Sequence, residues 1–123
     1  MDGLYAHADM NAIFKKLRAS RFRSRFRLSP RERAYIADRG LEAVSAHAFD
    51  FIRTRLAPAV IPNDGRQTPF RGHPVFVAQH ASATCCRRCL STWHRIEQGR
   101  QLNDEEIGYI HDVIIEWIRR QLA

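Results

Sequence analysis

The sequence predicts a mainly α-helical fold of about four to five helices in one compact domain, with at most a short strand pair as a small α+β element. Three observations carry this expectation. Two helix starts are fully punctuated, apolar residues recur at helical spacing over most of the chain, and only "VFVAQ" has the composition of a buried strand. A chain of 123 residues with 45% hydrophobic content suits a single core.

Taken in order, "HADMNAIFKKLR" sets Met10, Ile13, Phe14 and Leu17 at helical spacing and predicts a short amphipathic helix. "RFRSRFRL" then alternates. In an extended chain Phe22, Phe26 and Leu28 share one face, with Arg21, Arg23, Arg25 and Arg27 on the other. Residues 1–27 thus read as a basic N-terminal helix and an arginine-rich extended segment, and 28–123 as one globular domain with a Cys/His cluster. "SPRE" opens the next helix: Ser29 can cap it, Pro30 suits its first position and Glu32 can complete a capping box. Gly40 closes it as a cap with positive φ. "LEAVSAHAFDFIRTRLA" predicts a longer helix with Leu41, Val44, Ala48, Phe51, Ile52 and Leu56 inward, stopped by Pro58.

Four of the five prolines fall within 57–74, together with "NDG" and "RGHP", and predict an ordered loop leading into the "VFVAQ" strand. A helix from about Thr84 to His94 follows, and Gly99 breaks the chain after it. "LNDEEIGYIHDVIIEWIRRQLA" gives the clearest helix. Asn103 and Glu106 form its capping box, acids stand at its start and Arg119 and Arg120 at its end, and Ile107, Ile110, Ile114, Ile118 and Leu122 form its inward stripe. Trp93 and Trp117 read as core, and His111, near that stripe, as a satisfied core histidine.

The net charge is +7. Lys15, Lys16, Arg18, Arg21, Arg23, Arg25 and Arg27, with no acid among them, account for that whole excess. Concentrated charge interleaved with Phe22 and Phe26 suits a nucleic acid or other polyanion, with Lys15, Lys16, Arg21, Arg23, Arg25 and Arg27 as the contacting residues. The bland alternative is a solvated edge whose phenylalanines pack inward. No stretch approaches the roughly 20 apolar residues that span a bilayer. The N-terminus lacks the pattern of a signal peptide, so no membrane role and a cytoplasmic location are expected.

All three cysteines lie within "CCRRC", Cys85 to Cys89. In a reducing compartment a CxxC points to metal binding or redox chemistry before a structural disulfide. The pair Cys86 and Cys89 has the gap that lets two thiolates share one zinc ion. On a helix starting near Thr84, Cys85 falls in the same sector of roughly 100°, and His94 points about 140° from Cys89. The expected Zn2+ set is therefore Cys86, Cys89, His80 and Cys85, with His80 on a flexible lead, and His94 and His73 as substitutes. Two other readings stay open: three small buried core residues, or a thiol redox module using Cys86 and Cys89. Haem attachment is disfavoured, because Leu90 stands where CxxCH needs histidine. His47 and Asp50, three apart on the long helix, can touch; with His73 they are the catalytic candidates of a metal-dependent hydrolase or nuclease covered by the "NDGRQTP" loop.

From "RFRLSPRERAYI" onward the chain resembles a family of small bacterial and phage proteins catalogued as a domain of unknown function, DUF4186. The likeness rests on "HAFDFIRTRLAPA", "NDGRQTPFRGHPVFVAQHASATCCRRCLSTWHRI" and "YIHDVIIEWI", about four-fifths of the chain. It implies relatives rather than a chemistry. It also implies that His47, Asp50, Asn63, Asp64, Gly65, Gln67, His73, His80, Cys85, Cys86, Cys89, Trp93 and His94 occupy motif positions. The combined expectation is a zinc-stabilised small binding domain whose arginine stripe meets nucleic acid.

Overall fold

Local signals place most of the helix boundaries in the computed structural model, which describes residues 7–123, with side-chain environments from Met10 onward. Its elements are α1 (His7–Ala19), a short 3-10 turn (Arg23–Arg25), α2 (Pro30–Arg39), α3 (Leu41–Arg55), α4 (Pro74–Ala81), α5 (Arg87–His94) and α6 (Asp104–Leu122). The class is mainly α, with six helices against the four or five expected and no strand among the described residues.

The capping chemistry works as the sequence requires. Ser29 Oγ accepts from the Glu32 amide at 3.1 Å, and Glu32 Oε1 accepts from the Ser29 amide at 2.8 Å. Asn103 and Glu106 make the same reciprocal pair at 2.8 and 3.0 Å. Each box satisfies orphan amides at a helix start. Gly40 joins α2 to α3 at φ +86°, a conformation other residues rarely adopt.

The central helix is α6, packed against α3 and α4. Ile107, Ile110, Ile114 and Ile118 are buried as expected, and so are Tyr109, Val113, Ile115 and Trp117, so α6 is covered on more than one face. Leu122 alone of the expected stripe is exposed. Val44, Ala48 and Ile52 of α3 and Leu56 just past its end are fully buried, while Leu41 and Phe51 are only partly so. Met10, Ile13, Phe14 and Leu17 of α1 belong to the same core as the rest.

Three local expectations are corrected. "VFVAQ" is helical, not a strand: His73 Nδ1 accepts from the Val75 amide at 3.0 Å, Pro74 opens the first turn, and α4 follows. Nearly every side chain of α4 is buried, so the run shows no amphipathic period, and two valines gave it a strand's composition. "RFRSRFRL" is not a uniform extended strip. It turns at Arg23–Arg25, leaving Phe22 exposed and turning Arg23 inward to 9% exposure. Lastly, α5 starts at Arg87 rather than near Thr84.

Arg87 holds this second half of the molecule together. Its buried guanidinium donates to the carbonyls of Leu56 (3.0 Å) and Pro58 (3.1 Å) beyond the end of α3, and to those of Glu97 (2.7 Å) and Arg100 (2.9 Å) before α6. Burial lowers its pKa, yet it stays a cation by serving carbonyls that no amide reaches. We expect Arg87→Met to lose about 3 kcal/mol or more in urea unfolding, since four carbonyls lose a charged donor. Arg88→Ala, one residue along and exposed, should stay within about 0.5 kcal/mol.

Candidate metal centre

The thiols are placed by a reversal of the chain. After α4, Ala83 takes φ +60°, a left-handed conformation that costs a residue with a side chain about 1 kcal/mol. The Thr84 amide bonds back to the Gln79 carbonyl at 2.8 Å and closes the turn. Cys85 then precedes α5, Cys86 caps it with Sγ 3.4 Å from the Cys89 amide, and Cys89 lies in its first turn. So Cys85 and Cys86 are not helical, as the wheel argument assumed. The three sulfurs nevertheless converge, all within 4.8 Å of one another, and all three are free thiols. Among the described residues they are the only group of three or more His, Cys, Asp or Glu so arranged. Co-ligands of one ion bound at about 2.3 Å stand roughly 4 Å apart, so this cluster could hold a metal ion.

A cation already faces the sulfurs. Arg23 Nη2 donates to Cys89 Sγ at 3.1 Å, and Nη1 donates to the His80 carbonyl at 2.7 Å and lies 3.9 Å from Cys85 Sγ. Hydrogen bonds from Cys85 and Cys86, reinforced by Arg23, hold the Cys89 pKa well below the usual thiol value and favour its thiolate form. Cys85 is raised by giving its proton to those bonds and by burial. Cys86 receives from Cys85 but gives to Cys89, and the latter bond with burial leaves it raised too. These directions favour a cluster in which Cys85 and Cys86 keep their protons and Cys89 carries the negative charge beside Arg23.

The histidines divide sharply. His80 is buried in α4 rather than lying on a flexible lead. Burial lowers its pKa, so the ring is neutral, and its Nε2–H donates to the Thr68 carbonyl at 3.0 Å. The lone pair is therefore on Nδ1, the arrangement that a backbone carbonyl imposes on metal-binding histidines. No imidazole nitrogen among the described residues lies within 4.8 Å of all three sulfurs. His94, a proposed substitute, has both nitrogens occupied: Nε2 by the Ser82 carbonyl (2.8 Å) and Nδ1 by the Tyr109 hydroxyl (2.7 Å). It is a satisfied core histidine, its pKa lowered to about 4 by burial.

His73, the other substitute, accepts from Val75 at Nδ1, so its Nε2 carries the proton and donates to His47 Nδ1 at 3.0 Å. Burial, then the charge of His47, lowers its pKa to about 4. Asp50 does not join this pair. Its side chain is exposed and makes no bond to His47, so the three catalytic candidates are not assembled. His111 is likewise satisfied. Its Nε2 lies 2.7 Å from Ser45 Oγ and its Nδ1 3.0 Å from Asp112, with the ring stacked on Phe49.

The "NDGRQTP" loop packs onto the thiol segment and braces it. Asp64 accepts from the amides of Arg87 (2.8 Å) and Arg88 (3.2 Å) at the start of α5, where a carboxylate also meets the positive end of the helix dipole. Gln67 donates to Asp64 at 2.8 Å and accepts from Gly65 at 2.8 Å. Thr68 donates to the Cys85 carbonyl at 2.8 Å and accepts from His80. The readable signal was the "NDG" turn with Gln67 close behind. Its partner, lying more than 20 residues away, was not readable.

A family model described as "Domain of unknown function (DUF4186)" matches residues 11–119. The chain belongs to this family. The match spans Arg23, Asp64, His80 and the three thiols, so the DUF4186 region contains the whole site. No solved structure matches the chain. Among the described residues, no helix is long and apolar enough to cross a membrane.

His94 and His73 hold their folded pKa values near 4, whereas an unfolded histidine titrates near 6.5. Between those values the unfolded chain binds more protons, so their contribution is whole above about pH 6.5 and is lost as pH falls toward about 4. Unfolding free energy measured against pH should decline over that window. His94→Gln should remove about one proton from the slope.

Proposed function

We propose that this DUF4186 domain binds one zinc ion through Cys85, Cys86 and Cys89, with His80 Nδ1 as the fourth ligand, and uses the ion to fix a small binding domain. The observation that carries the reading is the convergence of three sulfurs beside a buried guanidinium. Charge bookkeeping supports it. Without metal, one thiolate balances Arg23. With a dication, three thiolates and a neutral imidazole leave one negative charge, again balanced by Arg23. A neutral site in both states avoids the penalty of an unpaired buried charge.

The partner in this reading is nucleic acid or another polyanion. Arg23 is withdrawn from the stripe, but Lys15, Lys16, Arg21, Arg25 and Arg27 remain exposed and supply its positive face. A thiol redox cycle through Cys86 and Cys89 is the second reading, favoured by the thiolate character of Cys89 next to two further thiols. Metal content separates the two.

Purified protein should contain about one zinc per chain by elemental analysis, and loading the metal-free form should release about two protons, those of Cys85 and Cys86. Replacing Cys86 and Cys89 by serine should abolish binding, and chelation should lower the melting temperature. A chain that folds and melts identically without metal, and takes none up, overturns the zinc reading and leaves the redox one.

A further inference from the structure

A second site lies on the other side of His80. A cleft of about 650 Å³ runs between the arginine-rich segment, the start of α2 and the loop before α4, lined by Arg25, Phe26, Arg27, Arg31, Phe70 and Arg71. That volume falls within the range of small-molecule sites. None of its four arginines takes part in an ion pair among the described residues. One acid, Glu32, also lines the cleft, and its carboxylate is buried and engaged in the capping box with Ser29. The cleft is therefore cationic, with four guanidinium groups against one carboxylate.

Its apolar side is ordered. Phe70 is 58% exposed, yet one face is fixed by stacking on His80, with ring centroids 4.0 Å apart and planes 14° from parallel. Phe26 lies nearly parallel to both rings, 6.4 Å from Phe70 and 5.8 Å from His80. An exposed aromatic ring held flat against a buried imidazole is a platform for another planar group. Four guanidinium groups beside it, none in an ion pair, suit a phosphate.

We infer that this cleft binds a nucleotide unit, the base stacking on Phe70 and the phosphate held by Arg25, Arg27, Arg31 and Arg71. The inference deepens the polyanion reading above and rests on it. It adds a defined pocket, a base-stacking residue and two arginines, Arg31 and Arg71, outside the basic stripe. A free mononucleotide and a unit of a single strand present the same chemistry, so both are probed.

The test uses the full chain, with adenosine monophosphate in calorimetry and a short fluorescein-labelled single-stranded DNA in anisotropy titrations at several salt concentrations. Strand affinity should fall steeply with salt. Phe70→Ala should weaken binding about ten-fold, and Phe70→Trp should restore it. Arg71→Ala and Arg31→Gln should each lower the salt slope by about one unit. Unchanged zinc content and melting curves in these variants separate loss of the cleft from damage to the fold or the thiol site. Mononucleotide binding with the same Phe70 dependence assigns the site to free nucleotides; a strand-only response with that dependence assigns it to strands. Strand binding that ignores Phe70, Arg31 and Arg71 but weakens in Arg21→Ala overturns the cleft and leaves the stripe. No binding of either probe overturns the cleft and the polyanion reading together.

Discussion

A guanidinium buried against two of three convergent sulfurs is the constraint on which the thiol-bearing half of this molecule depends. Arg23 comes from a turn near the N-terminus and reaches the end of α4 through the His80 carbonyl and the start of α5 through Cys89. It is the cheapest way to keep a thiolate inside a folded chain: the negative charge is offset on the spot, and the two neighbouring thiols donate to it as well. Removing any member leaves a charge or a donor without a partner. The position of the N-terminal segment and the spacing of the sulfurs are therefore set together.

The start of α5 is the other fixed point, and consecutive residues serve it from different directions. Cys86 caps it from within, Asp64 accepts its first two amides, and the Arg87 side chain ties it to the chain leaving α3 and the chain entering α6. Arg100, which offers a carbonyl to Arg87, also grips Glu106 with two short hydrogen bonds, 2.8 and 2.6 Å. Glu106 in turn completes the cap of α6. One contiguous set of charge-assisted bonds thus runs from the proline-rich loop to the central helix. That is why 57–73, poor in regular structure, is still built in: it supplies the cap and the carbonyls that the thiol helix needs.

What the sequence made legible follows from the range of each interaction. Capping boxes at Ser29 and Asn103 act over three residues and were readable directly, as were the isoleucine stripe of α6 and the apolar face of α3. The convergence of the thiols was readable from spacing, though not its geometry, because Ala83 occupies a left-handed position that composition gives to glycine. The helix α4 was hidden because burial on all sides erases periodicity. Arg23 and Asp64 were hidden for a different reason: each acts on atoms tens of residues away, and a lone arginine in a basic run carries no mark of which way it faces. Alternation put all four arginines on one face, and a single 3-10 turn sends one of them inward.

That inward turn also explains why the thiol site and the arginine-lined cleft adjoin. The segment that delivers Arg23 to the sulfurs carries Arg25, Phe26 and Arg27 to the cleft on its other side. His80 lies between the two, its carbonyl on Arg23 and its ring beneath Phe70. Its Nε2–H is fixed by Thr68, which also holds the Cys85 carbonyl, so the tautomer of the ring and the placement of the first thiol share one residue. Any group that stacks on the open face of Phe70 therefore lies one ring away from His80. The physical link between the thiol segment and the cleft is the contact of the Phe70 and His80 rings.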